Sequence, residues 1–206
     1  MKISKIALAT FTAIALSANA APQHQGGSHG AAGHDMANMQ SMHKSSPNAD
    51  KAPYEQQFLD TMAMHHQMAI HMASLVESRA ASQELKDMAK KMMAEQEKEV
   101  AQLKGWKEQW YAGKPEAMNM KMPGMPESMK GMSGDKLMSA KGEKFDRIFV
   151  DMMSQHHKGA IKMAQTAVPK LQHAEVKEFA NKLVDMQKKE VAQLTEMKKS
   201  GSAPKK

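Results

Sequence analysis

The chain has 206 residues, a formal net charge of +7, 23 methionines and no cysteine. The absence of cysteine excludes disulfides and thiolate metal sites. The positive charge is too diffuse to indicate nucleic-acid binding and supports at most a weak attraction to anionic surfaces. The fold must therefore rest on a buried core, and the length is sufficient for one domain.

Residues 1–20 have the pattern of an export signal. Lys2 and Lys5 precede a short apolar run from Ile6 to Leu16, and Ala18-Asn19-Ala20 is a small-residue cleavage site. The apolar run is far below the ~20 residues that span a bilayer, and no later run is longer. We expect a cleaved signal, a mature chain that begins near Ala21, a periplasmic location and no membrane span.

Residues 21–52 are rich in small and polar residues and show no apolar period, so we expect this segment to be disordered. Such tracts often collect metal ions, but a solubilising tail is an equal alternative. The histidines and methionines of the segment are His24, His29, His34, His43, Met36, Met39 and Met42.

Two adjacent histidines interrupt an apolar helical face in residues 53–80. His65 and His66 lie at the centre of a stripe with the 3.6-residue period of a helix, where a bundle helix normally has leucine. The apolar members of this stripe are Phe58, Met62, Ala69, Met72, Ala73 and Val76.

The same pattern recurs at an offset of 91 residues, as between His65 and His156. In the two 16-residue segments that begin at Phe58 and Phe149, 9 positions are identical, including both histidines. A single histidine on an apolar face is usually a hydrogen-bonded core residue, and methionine is usually core filler. The recurrence of imidazole beside thioether in both halves instead favours metal ligation.

Thioethers select soft monovalent ions, and imidazole suits both oxidation states of copper. The predicted metal is therefore Cu(I), with Ag(I) or Cu(II) as further candidates. The candidate ligands are Met62, His65, His66, Met68, His71 and Met72 in the first half and Met153, His156, His157 and Met163 in the second. Adjacent histidines point about 100° apart on a helix, so one of each pair could bind metal while the other packs or bridges helices.

Each half continues into a second predicted helix, over residues 83–111 and 170–199. Polar residues lie on or beside its buried face, and a buried polar group without a partner costs a few kcal/mol. We expect these residues to orient the histidines of the facing helix, although solvated boundary residues would give the same pattern. They are Gln96 and Glu99, with Gln187 and Glu190 at the same offset.

Residues 112–142 are a predicted linker in which glycine and proline prevent a continuous helix. A segment without a regular face offers no core position, so we interpret its methionines as metal ligands; a sticky or oxidation-absorbing loop is the alternative. The candidates are Met118, Met120, Met122 and Met125, followed by Met129, Met132 and Met138.

The predicted fold is all-α: a ferritin-like four-helix bundle over residues 53–199, followed by a polar tail over residues 200–206. Two duplicated hairpins, 53–111 and 143–199, are joined by the long Met-rich crossover linker.

The pattern His-His-x-Gly-Ala, then Met, then Gln-x-x-Glu on the next helix resembles the domain of unknown function 305 family. His156, His157, Gly159, Ala160 and Met163 match it closely, whereas Met68 replaces the glycine in the first half. The resemblance covers about residues 54–199. It implies a ferritin-like bundle, export, and an association with copper and sometimes silver tolerance.

The leading hypothesis is a periplasmic protein that binds Cu(I) or Ag(I) for sequestration or for delivery to a copper efflux protein, and that is not an enzyme. A di-iron oxidase would need Glu-x-x-His pairs, which the sequence lacks. The alternative is a Met-rich helical interaction protein, similar to a chaperone, without a metal function.

Overall fold

The computed structural model describes residues 44–201. They form helices joined by turns and loops and contain no strand, so the all-α class is confirmed. The long helices are α1 (Tyr54–Ser74), α3 (Gln83–Tyr111), α6 (Gly142–Ala167) and α7 (Ala174–Gly201). The short helices are α2 (Val76–Arg79), α4 (Met125–Met129) and α5 (Gly134–Ser139), with 3-10 turns at Ala49–Lys51 and Val168–Lys170. No helix in this part of the chain is long and apolar enough to cross a membrane.

Local sequence explains where two of the long helices begin and end. The side chain of Ser82 accepts a hydrogen bond from Leu85 N at 3.2 Å, which caps the start of α3 as its residue type predicts. Helix α6 ends at Ala167, because Pro169 cannot supply the amide that a further helical turn needs.

The long helices pair as two antiparallel hairpins, α1 with α3 and α6 with α7, and α1 also contacts α6. The apolar stripes of the four long helices form two hydrophobic clusters, one toward each end of the helices. One cluster contains Phe58, Met62, Leu103, Met163 and Phe179, and the other contains Met72, Leu85, Phe149, Met153 and Leu194. Because each helix contributes to both clusters, the middle of each helix lies between them.

The linker differs from its prediction. It forms α4 and α5, and α4 packs against α6. Met118, Met122 and Met125 are at most 8% exposed and belong to the first hydrophobic cluster, and Met120 packs against it half-buried. The expectation that core packing cannot explain these methionines is therefore wrong: irregular backbone still has a buried side when it crosses an apolar surface.

Residues 44–52 are also ordered, contrary to the expected disorder. Met118 O accepts a hydrogen bond from Ser46 N at 2.8 Å, and Ser45 Oγ accepts one from Met120 N at 3.0 Å. The predicted signal, the histidines from His24 to His43, and residues 202–206 of the predicted tail lie outside the described residues.

Candidate metal centre

A layer of four histidines lies between the two hydrophobic clusters. His65, His66, His156 and His157 are all 0% exposed. The rings of His65 and His156 stack with their centroids 3.6 Å apart and an interplanar angle of 27°. Within each adjacent pair the ring centroids are 6.2 Å apart, so the two halves of the chain have nearly the same geometry. The first histidine of each pair therefore joins α1 to α6.

The second histidine of each pair faces the other helix of its own hairpin. His66 Nε2 lies 2.8 Å from Glu99 Oε2, and His157 Nε2 lies 2.8 Å from Glu190 Oε2. Both contacts are close but outside good hydrogen-bond alignment. A carboxylate beside one ring nitrogen orients the imidazole and makes the other nitrogen a stronger donor to a metal. Glu99 and Glu190 therefore lie close enough to orient these histidines, and that role stays a prediction.

Ser128 of α4 determines the tautomer that we assign to His65. Its Oγ lies 2.9 Å from His65 Nε2, and within 3.2 Å of two carbonyl oxygens, those of Gly124 and His156. Since carbonyl oxygens only accept, the serine donates its single hydrogen to them and accepts from His65 Nε2–H. A neutral His65 then carries its lone pair on Nδ1.

Several polar atoms of the layer have no hydrogen-bond partner among residues 44–201. The Nδ1 atoms of all four histidines are in this state, together with His156 Nε2. Both polar atoms of the Gln96 side chain and Gln187 Oε1 are also buried and unpartnered. Buried polar atoms of native proteins nearly always have partners, so such a set points to a bound ion or ordered water.

Burial holds His65 and His156 in the neutral form. Desolvation lowers the pKa of both rings well below the usual value, and the neighbouring histidines of the layer lower it further. Neutral imidazole is the form that binds metals. These two rings therefore remain available as ligands at pH values where free imidazole is protonated.

The same shift predicts that the metal-free protein loses stability in mild acid. In the unfolded chain His65 and His156 take up protons below about pH 6.5, whereas in the native state they remain neutral, so the unfolded state binds more protons. We expect the free energy of unfolding to fall by about 2 kcal/mol between pH 7 and 5.5. Urea titrations of chelator-treated protein at both pH values measure this difference. A His65→Gln/His156→Gln variant should lose much less, and equal losses would contradict the assignment.

Close backbone approach places Ser128 in the layer. Gly124, with φ of +99°, and Gly159 of α6 pack against each other, and a Cβ on Gly159 would lie 2.5 Å from Gly124 O and overlap the Ser128 side chain. The glycine of the His-His-x-Gly-Ala pattern thus allows the linker to reach the histidines. In the first half, Met68 occupies the equivalent position and is buried.

The structure separates the other predicted ligands. Met62 and Met153 precede the histidine pairs by one helical turn, which places them on the same helix face. Met68, His71 and Met72 line a cavity against the linker, Met163 lies in the first hydrophobic cluster, and Met118, Met120, Met122 and Met125 pack on that cluster. Within residues 44–201, no three histidine or acidic side chains converge on one point. An ion in the layer would therefore need thioether or amide ligands beside imidazole.

Sequence reasoning missed Ser128 altogether. It named Met129, Met132 and Met138 of the linker but did not place them beside Met68 and Met72 of α1. Ser128 has no pattern of its own, and only the glycine of the motif indicates that something approaches closely there. Met129, Met132 and Met138 meet α1 and α6 only after the linker has folded back, which no local spacing predicts.

Comparison with known proteins identifies the family. The family model for the domain of unknown function DUF305 matches residues 55–198. This chain therefore belongs to that family. No curated protein matches the chain.

Solved structures resemble this chain over most of its length. A DUF305 protein from Streptomyces coelicolor superposes with a TM-score of 0.64 at 23% identity, covering 73% of this chain and 94% of that one. CopM in its Cu(I)-bound form has a TM-score of 0.61 at 28% identity, covering 72% and 98%. CopM in a silver-bound form, obtained by soaking, has a TM-score of 0.60 at 27% identity, covering 72% and 97%.

Proposed function

We propose that this protein is an exported, periplasmic binder of Cu(I) and Ag(I), built on a ferritin-like four-helix bundle, that sequesters the ion or delivers it to a copper efflux protein. The metal is cargo, and we propose binding without catalysis. The predicted signal supports the location, and two hairpins joined by one long crossover support the ferritin-like description.

The observation that carries this proposal is the buried histidine layer. Four imidazoles without hydrogen-bond partners at Nδ1 lie between thioether-rich clusters, and burial favours the neutral form of His65 and His156. Imidazole together with thioether suits Cu(I), which accepts low coordination numbers. Glu99 and Glu190 would hold two of the rings by their other nitrogen.

The resemblance to CopM supports the choice of ions. CopM has been crystallised in Cu(I)-, Cu(II)- and silver-bound forms, at 27–30% identity to this chain. The alternative, an interaction protein that presents methionines to clients, has less support. Among residues 44–201, Met186, at 37% exposure, is the one exposed large hydrophobic residue.

We expect the mature protein to bind more than one Cu(I) and to prefer Cu(I) and Ag(I) to Zn(II), because zinc favours thiolate, imidazole and carboxylate ligands over thioethers. Anaerobic competition with a colorimetric Cu(I) chelator measures the affinity, and isothermal titration measures Zn(II). A His65→Gln/His156→Gln variant should weaken the tightest Cu(I) site at least tenfold. Glutamine can keep a polar group near the position of Nε2, but it supplies no counterpart of Nδ1.

A His173→Gln variant is the matched control, because His173 lies outside the layer, against Trp110 and Glu55. Circular dichroism checks that both variants remain helical. The proposal would be overturned by tighter binding of Zn(II) than of Cu(I), or by a layer variant with the Cu(I) affinity of the control.

A further inference from the structure

Six methionines surround a small cavity whose lining includes none of the four layer histidines. The cavity has a volume of about 40 Å³ and lies where the second half of α1 meets the linker and α6. Its methionines are Met68 and Met72 of α1, Met152 of α6, and Met129, Met132 and Met138 of the linker. A cavity needs about 10–15 Å³ on this measure to hold one water molecule, so the space admits one small ion.

The chemistry of this lining is that of a soft-metal site. Six thioethers and the imidazole of His71 are the donor groups, and the acidic side chains of the described chain do not line the cavity. Hard cations need oxygen ligands and find few here, whereas Cu(I) and Ag(I) accept sulfur. Unbranched methionine side chains can also adjust their rotamers around an ion at little cost.

Burial differs between the two sides of the cavity. Met68, Met72 and Met152 are buried at 1%, 2% and 8% exposure, whereas Met129, Met132 and Met138 are half-buried. The helical side is therefore the buried base of the cavity, and the linker side is reachable from solvent. An ion could enter between the linker methionines without opening the hydrophobic core.

The second half of the duplicated sequence has different residues at the positions that correspond to Met68 and His71 of the cavity. The repeat partner of Met68 is Gly159, whose space is taken by Ser128 and Gly124 of the linker. The repeat partner of His71 is Lys162, which forms an ion pair with Glu127. The linker crosses the two halves differently. Met68 stands where the motif has glycine, so it adds a thioether on the side where the linker brings Met129, Met132 and Met138.

From this arrangement we propose a second Cu(I)/Ag(I) site, formed by Met68, Met72, Met129, Met132, Met138 and Met152 and separate from the histidine layer. It deepens the proposed function and rests on it: the linker becomes one wall of a specific site. A subset of two to four of these thioethers would hold the ion.

The test uses Ag(I), which does not change oxidation state under the conditions of a titration. The cavity variant Met68→Leu/Met129→Leu/Met132→Leu/Met138→Leu removes four thioethers at nearly constant apolar volume. The control variant Met88→Leu/Met93→Leu/Met186→Leu/Met197→Leu changes as many methionines outside the cavity lining. Native mass spectrometry counts bound Ag(I), and NMR of 13C-methyl methionine identifies which methyl groups shift.

We expect the cavity variant to bind one Ag(I) fewer than the wild-type protein, and the control variant to lose none. In the wild-type protein, the methyl signals of Met68, Met129, Met132 and Met138 should shift with Ag(I), including in a His65→Gln/His156→Gln background. If the protein binds Ag(I) while the cavity variant keeps the full count and these methyl signals stay fixed, the second site is overturned and the proposed function remains. If the wild-type protein binds no Ag(I), both proposals fail.

Discussion

Replacing Gly159 by alanine should destabilise the protein by about 3 kcal/mol. The new Cβ would lie 2.5 Å from the carbonyl oxygen of Gly124 and overlap the side chain of Ser128, so α4 must move away from α6. Backbone cannot rotate aside as a flexible side chain can, which makes the clash costly. The displacement would also remove the contact between Ser128 and His65. Urea denaturation followed by circular dichroism measures the loss.

Gly105 provides the matched control, because it also lies in a long helix but has nothing within 4 Å of an added Cβ. Alanine has a higher helix propensity than glycine, so Gly105→Ala should stabilise the protein by up to about 1 kcal/mol. The two identical chemical changes are thus expected to have opposite signs. Equal effects on the free energy of unfolding would contradict the close approach of linker and helix at Gly159.

Replacing Glu55 by alanine should cost a similar amount, about 3 kcal/mol. This buried carboxylate at the start of α1 accepts hydrogen bonds from the Tyr111 hydroxyl at 3.1 Å and from the amides of Gln172 and His173 at 2.6 and 2.9 Å. It also pairs with the His173 ring, which stacks on Trp110. Glu55 therefore ties the first hairpin to the loop before α7, and its removal leaves these donors without a partner.

The effect of Glu55 should depend on pH. Desolvation alone would raise the pKa of Glu55, but the hydrogen bonds from His173, Gln172 and Tyr111 outweigh it and leave the pKa lowered. A carboxylate with a lowered native pKa stabilises the fold above its unfolded pKa, near ~4.3, and loses that contribution as the pH falls through the native value. The difference in free energy of unfolding between wild type and Glu55→Ala should be largest near neutral pH and shrink in acid.

Glu95 is a suitable control for Glu55. It forms an exposed ion pair with Lys98 at 3.1 Å, one turn along the same helix. Exposed pairs of this type contribute little, so Glu95→Ala should change stability by less than about 0.5 kcal/mol. Thermal and urea denaturation of both variants at pH 7 compare the two positions. A Glu55→Ala variant as stable as Glu95→Ala would show that the carboxylate does not join the hairpins.

The sequence alone predicted the helices and the inward faces that they present. The 3.6-residue period determines which side chains share a helix face, and burial of that face is the main stabilising term, so the sequence alone placed Phe58, Met62 and Met72 on the inward face. The same logic predicted that Glu99 faces a histidine of the neighbouring helix, because a buried polar side chain needs a polar neighbour; only the structure shows that this histidine is His66.

The tertiary structure decided which predicted ligands meet. The stacking of His65 on His156 depends on how the two hairpins cross, and the contact of Ser128 with His65 depends on the path of the linker. Both join residues far apart in sequence, about which local periodicity carries no information. Met118 and Met129 illustrate the consequence: the sequence places both in one Met-rich linker, but the fold buries the first in a hydrophobic cluster and places the second beside a cavity lined with sulfur. Burial and access to a common point depend on the surface against which the linker packs, and that surface exists only once the helices have assembled.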